Sequence, residues 1–319
     1  MPARVMPLHR TGACLNSPGP QTHNKLLLRD TVELTMNALH TPVVSAKWLA
    51  RNLGEPDISI LDATWYLPGE TGDARAEYLD GHIPGAGFFD IDAISDQQTD
   101  LPHMLPTAAA FATAAEQLGV SSDSRVIVYD GKGLFSAARA WWTFRAFGHR
   151  AVAVLDGGLP QWRRAGGRLE SGPVSPAPGR FQARLDESLV RRSRDLLENL
   201  ETGLAQVIDA RGSARFSGEA AEPRPGLQRG HIPGSLNLPF SGLTDPDTGR
   251  LLPKAQLRAR FEALGVDLQR PIITTCGSGV TAAVVFLAAE ILGARDLSLY
   301  DGSWAEWGDP RRRLPVERA

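Results

Sequence analysis

Cysteine is scarce in this chain: 319 residues hold only Cys14 and Cys276. Two cysteines exclude a disulfide framework and a Cys/His cluster with metal-ligand spacing, and they fit a reducing compartment. Cys14 lies in a stretch that reads as unstructured, so no structural bridge between the two is expected. Long apolar runs are missing as well, and nothing approaches the roughly 18 residues a membrane span needs. Charge excess is also absent. The 34 basic and 36 acidic side chains leave a net charge of −2, which gives neither nucleic acid nor an acidic membrane surface a reason to bind. Acidic residues are lacking altogether up to Arg29, where Arg4, Arg10 and Lys25 occur. An acid-free basic leader has one mark of a transit peptide, but serine is sparse and no amphipathic helix is legible. Residues 1–40 therefore read as a disordered extension, or as sequence ahead of a true start at Met36. No secretory h-region is present, so the expected location is cytoplasmic, with organellar targeting by the extension left open.

What is present is ordinary for a soluble globular chain, with 42% hydrophobic and 22% charged residues. The length fits two domains. Val43 to Leu49 reads as a short strand running into a Ser-capped helix, and Ser59 to Ala63 as a buried strand. Leu79 to Ala86 is a tight turn. Helices are expected over Pro106–Leu118 and Ser136–Phe147, strands over Arg125–Tyr129 and Ala151–Leu155. Strand alternating with helix predicts an α/β fold. The stretch 171–180 is the clearest linker, because Pro173, Pro176, Pro178, Gly172 and Gly179 exclude helix and central strand. It divides the chain into domains at 41–170 and 181–319.

The second half repeats the first. Ile60-Leu61-Asp62-Ala63 is echoed by Val207-Ile208-Asp209-Ala210, and Gly81-His82-Ile83-Pro84-Gly85 by Gly230-His231-Ile232-Pro233-Gly234. Leu155-Asp156-Gly157 corresponds to Tyr300-Asp301-Gly302, and Ile127–Phe135 to Ile272–Val280, all at an offset between 145 and 149. Four pairs in one order at one offset indicate duplicated domains. His82 and His231 sit in the repeated turns and read as structural; Trp304 and Trp307 read as packing.

The copies differ at one telling place. Ile272 to Thr275 is a β-branched run that reaches Cys276, then Gly277-Ser278-Gly279 leads into an Ala-rich apolar helix that stops at Gly293. Backbone N–H groups of such a loop and the positive helix end can hold a sulfur anion, so Cys276 is a candidate nucleophile. The alternative is an inert buried cysteine, which the flanking glycines argue against. The first copy carries Asp130 at this position and has no nucleophile there.

These paired His-Ile-Pro-Gly and Asp-Gly turns resemble the tandem-domain rhodanese family of sulfurtransferases over residues 43–308. The resemblance implies two rhodanese-like domains, each a parallel sheet flanked by helices, with an inactive first copy and a persulfide-forming Cys276 in the second. Thiosulfate-preferring members carry a basic loop, whereas Cys276-Gly277-Ser278-Gly279-Val280-Thr281 looks like the loop of members using 3-mercaptopyruvate. A compact dianion would want cations beside the sulfur, and Gly277 and Ser278 offer none. The resemblance further implies that Arg215 and Arg224 hold the substrate carboxylate. By residue type alone either is a solvated charge, since 30 of the 34 basic residues are arginine. The segment Gly218-Glu219-Ala220-Ala221-Glu222 departs from the family wording, which puts Arg224 second to Arg215. It implies too that Asp92 and His103 form a proton relay with Ser278, 175 residues from His103 in sequence; a structural interface histidine is the alternative. Gly277, Gly279, Val280 and Thr281 would line the substrate site and present their amides. No metal or organic cofactor is implied, and the partners are a small-molecule sulfur donor and a thiol acceptor such as thioredoxin, or cyanide. Thiosulfate transfer is the near alternative and a non-catalytic persulfide carrier the distant one. A phosphatase would need Arg where Ala282 stands.

Overall fold

The computed structural model describes Leu39 and residues 41–318, so the readings for Cys14, for Met36 and for a targeting leader lie outside the described residues. From Val43 onward strand and helix alternate, as the apolar runs predict. The first half contains β1 (Val43–Val44), α1 (Ala46–Asn52), β2 (Ile58–Asp62), α2 (Ala74–Asp80), β3 (Gly87–Phe88), α3 (Ile91–Ile94), α4 (Ala108–Gln117), β4 (Arg125–Tyr129), α5 (Ala137–Ala146), β5 (Val152–Leu155) and α6 (Gly158–Arg164). The second runs β6 (Val190–Arg191), α7 (Ser193–Thr202), β7 (Gln206–Asp209), α8 (Ser213–Ser217), β8 (Leu236–Asn237), α9 (Lys254–Ala263), β9 (Ile272–Thr275), α10 (Ala282–Leu292), β10 (Leu297–Tyr300) and α11 (Ser303–Trp307). Ser45 does cap α1, its hydroxyl accepting from Trp48 N at 3.1 Å.

Each half forms a five-stranded sheet with parallel pairing throughout, in the orders β1-β5-β4-β2-β3 and β6-β10-β9-β7-β8. The identical order is the structural form of the sequence repeat. β4 and β9 occupy the centres, which is why they are rich in β-branched residues and buried almost throughout. The loops that follow them, carrying Asp130 and Cys276, therefore emerge at the carboxyl ends of the strands, where open α/β sheets place their sites.

The helices after these loops bring the halves together. Apart from Glu290, α10 is apolar all round and buried along almost its whole length, as a helix with so little polar face must be. It lies with α5, whose Trp141 ring meets Phe286 at 5.9 Å between centroids. One apolar cluster runs through both halves, containing Trp141, Phe144, Val284 and Phe286. Burying each such side chain contributes about 1.5–3 kcal/mol, so the halves share a core and do not behave as beads on a tether.

The Pro/Gly stretch after Glu170 has neither helix nor strand, as its composition requires, but it lies flat on the first half. Gly172 N donates to Leu79 O at 2.8 Å, Gly179 N to Glu116 O at 2.8 Å and Arg180 N to Ser121 Oγ at 3.0 Å. Phe181, on the second-domain side of the expected boundary, buries its ring against Phe111 and Phe144 of the first. His82 and His231 make equivalent contacts in the two copies. Each Nδ1 lies 2.8 Å from a carbonyl, of Tyr78 and Phe216 respectively, with its ring stacked on that residue. No helix among the described residues is long and apolar enough to cross a membrane.

Candidate active site

Cys276 stands directly after β9, 2% exposed, on a loop held from behind by α11. Cys276 N donates to Ser303 Oγ at 3.3 Å, while Trp304 N and Ala305 N donate to the carbonyls of Cys276 and Gly277, each at 2.9 Å. Gly279 has φ +78°, and a Cβ there would fall 2.7 Å from Arg139 Nη1, so both backbone and space demand glycine. Val280 and Thr281 are buried and lead into α10. A Cβ on Gly277 would come 2.9 Å from Arg215 Nη2, which puts that guanidinium against the residue that follows Cys276.

Ser278 and His103 meet across the two halves. Ser278 Oγ is 2.9 Å from His103 Nδ1, and His103 Nε2 is 2.9 Å from Asp92 Oδ1. The other Asp92 oxygen accepts from Trp65 Nε1 at 3.0 Å, and Trp65 packs edge-on to the imidazole at 4.8 Å. An ionised carboxylate can only accept, so Nε2 carries the proton and Nδ1 is left to accept from the Ser278 hydroxyl. The charge states agree with this. The hydrogen bond from His103 holds Asp92 below the ordinary carboxylate range. Burial pushes His103 below the ordinary imidazole value, outweighing the neighbouring carboxylate, so the ring is neutral at pH 7.

The two predicted arginines are placed together but differently. Arg215, in α8, is paired to Glu222 Oε2 at 2.5 Å. Arg224 is half-buried and has no hydrogen bond or ion pair with any described residue. Burial depresses its pKa, opposed by Cys276, Asp92 and Glu222, groups close enough to act on it. It lines a cavity of about 380 Å³ together with Pro102, Pro225, Leu227 and Arg311. A half-buried guanidinium without a hydrogen-bond partner among the described residues is a ready site for an anionic ligand.

Several residues of the site carry no signal in the sequence. Arg211 is fully buried, bonded to Asp209 at 2.6 Å, Glu222 at 2.8 Å and Gly230 O at 2.9 Å, and lies 4.2 Å over the Trp304 ring. Glu222 thus joins Arg211 to Arg215. Among 30 arginines, nothing in residue order marks one as a buried strut. In the first copy the loop after β4 is filled by its own anion: Asp130 accepts from Lys132 N, Phe135 N and Ala137 N at 2.8–2.9 Å. Among the described residues no group of three or more His, Cys, Asp or Glu could hold a metal ion.

Comparison with known proteins agrees with this architecture. The model of the rhodanese-like domain matches twice, at residues 45–165 and 193–309. The 3-mercaptopyruvate sulfurtransferase of Escherichia coli K12 is 50% identical over 275 residues, covering 86% of this chain and 97% of that protein. The thiosulfate sulfurtransferase of Bos taurus is 46% identical over 276 residues, covering 84% and 92%. The crystal structure of SseA from Escherichia coli, described by its authors as a 3-mercaptopyruvate sulfotransferase with the rhodanese fold, superposes with a TM-score of 0.77 at 47% identity, covering 83% of this chain and 99% of that one.

Proposed function

The chain belongs to the rhodanese family, and from that premise we propose that it moves sulfur from 3-mercaptopyruvate to a thiol or cyanide acceptor through a persulfide on Cys276. The observation that carries the choice of donor is the Ser278–His103–Asp92 chain of hydrogen bonds beside the sulfur. Thiosulfate needs no such relay. When a thiolate takes its outer sulfur, sulfite leaves with the bonding electrons and no proton moves. Mercaptopyruvate does need one. The Cys276 thiolate attacks the donor sulfur, the S–S bond forms, and the C–S bond breaks with its electron pair passing to carbon as the pyruvate enolate. The donor's S–H proton goes through Ser278 to His103 Nδ1, where Asp92 stabilises the imidazolium, and returns to the enolate carbon to give pyruvate. Atoms and charge balance, and Cys276 is left as the persulfide anion.

Arg215 and Arg224 hold the donor carboxylate in this reading, with Arg224 unpaired among the described residues and Arg215 held by Glu222. Amides from Gly277 to Thr281 hold the anionic sulfur; the first copy, where loop amides converge on the Asp130 carboxylate, supports that reading by analogy. The acceptor would be a small thiol, a protein thiol such as that of thioredoxin, or cyanide, in a reducing and therefore cytoplasm-like compartment. Cys276→Ser should abolish pyruvate release from mercaptopyruvate and the mass increase of one sulfur on the protein. Retained turnover would exclude Cys276 as nucleophile, and a faster steady state with thiosulfate than with mercaptopyruvate would overturn the donor.

A further inference from the structure

The residues that hold His103 against Ser278 are not part of the relay and come from both halves. Asp301, 3% exposed at the end of β10, lies in the repeated Asp-Gly turn. Its Oδ1 accepts from Arg139 Nη2 at 2.8 Å, and its Oδ2 from Leu105 N, two residues beyond His103, at 2.8 Å. Arg139, 2% exposed in α5 and seated on Trp142, also donates to the carbonyl of His103 and, at 3.5 Å, to that of Gly279, the residue after Ser278. One buried ion pair thus grips the backbone on both sides of the Ser278–His103 hydrogen bond. His103 itself sits at φ +62°, a conformation an imidazole-bearing residue keeps only when its surroundings impose it.

The duplication supplies an internal control. At the other Asp-Gly turn, Asp156 Oδ1 accepts from Leu251 N at 2.9 Å and Oδ2 from Arg250 Nε at 2.8 Å. Each turn therefore takes an arginine and a leucine amide from the opposite half, in a crossed pair of contacts. Only one of the two lies at a reactive site. Its arginine comes from the helix after the Asp130 loop and donates to the carbonyls of His103 and Gly279, whereas Arg250 and Asp156 have no hydrogen bond or ion pair with His103 or Ser278 among the described residues.

We propose that Arg139 and Asp301 are positioning residues for proton transfer, a latch across the two halves that sets the Ser278–His103 geometry. The inference rests on the relay of the proposed function. A misplaced relay slows the donor half-reaction, which moves a proton to carbon, and spares the acceptor half-reaction with cyanide, in which the persulfide's outer sulfur leaves as thiocyanate and the Cys276 thiolate returns without proton transfer.

The test is a comparison of Asp301→Asn with Asp156→Asn, each loaded to persulfide by prolonged exposure to mercaptopyruvate. Asp301→Asn should slow single-turnover pyruvate release at least about tenfold, within the range a displaced acid–base group costs, while cyanide discharge stays within about twofold. Asp156→Asn should leave both rates unchanged and, because its arginine partner is half exposed, lower Tm less than Asp301→Asn does. Equal loss in both half-reactions of Asp301→Asn, or loss in neither, overturns the latch. If Asp301→Asn does not fold, Arg139→Lys, which keeps the charge and loses the fork, should give the same split between the half-reactions. His103→Ala separates the two claims. If it leaves pyruvate release unchanged, the relay itself is wrong; if it slows release and the latch variants do not, only the positioning role fails.

Discussion

Glu222 divides its carboxylate between Arg211 and Arg215, and that division leaves Arg224 without a partner among the described residues. Arg215 is held in place before any donor arrives, whereas Arg224 has no partner among the described residues to give up. Removing Arg224 should therefore cost binding and little stability. Arg224→Ala is expected to raise KM for mercaptopyruvate about 10–100-fold, the value of one or two charge-assisted hydrogen bonds. Its melting temperature should stay within about 2 °C of the parent. A fall in kcat at unchanged KM, read from steady-state pyruvate release, would assign it another task. The four arginines around this cleft illustrate what residue order hides. Arg211, Arg215, Arg224 and Arg139 have one chemistry and four settings: buried between two carboxylates, paired to Glu222, without a partner among the described residues, and ion-paired to Asp301 across the two halves. Burial and partners decide among them, and neither is written in the local sequence.

At the scale of the element, the loop after the central strand is where the two duplicated halves differ most tellingly. Both copies have a β-branched strand, a glycine-bearing loop and a helix buried on all sides, a pattern plain in the sequence because each part follows from a local rule. In the first copy three loop amides close on Asp130. Asp130→Ala would leave three amides without this acceptor, two of them buried, for a loss of about 2–4 kcal/mol. Thermal denaturation should register this as a lowered Tm, with pyruvate release per folded molecule retained because Cys276 is in the other copy. An unchanged Tm would mean that the cradle does not need its anion. The strap after Glu170 is the element whose composition was legible and whose placement was not. Prolines and glycines exclude regular structure, but only the hydrogen bonds to Leu79, Glu116 and Ser121 tie it to the first half.

Across the whole molecule, buried titratable groups tie stability to pH with opposite signs. Burial raises Asp62, in the first half, to about 6 from 3.8. Its contribution to stability is therefore complete below 3.8 and is lost as pH rises through about 6. His103 is lowered below its ordinary 6.5, so its unfolded form takes up protons first and stability falls as pH drops from 6.5 through the folded value. Asp62→Asn should stabilise the protein by on the order of 1–3 kcal/mol at pH 8 and by roughly half as much at pH 5. Denaturant melts at the two pH values check this, and an equal gain at both would show that Asp62 is not the titrating group. The sequence by itself determined the repeat, the α/β class of each half and the position of the cysteine, because these depend on periodicity, turn chemistry and self-similarity along the chain. The tertiary structure alone decided that α5 and α10 share a core, that His103 reaches Ser278, and that Arg139 and Asp301 pair beside the backbone of His103 and Gly279. Those are contacts between residues 140 to 175 positions apart in four cases. Local patterning carries no record of such pairings, which arise only when two sheets bury their apolar helices against one another.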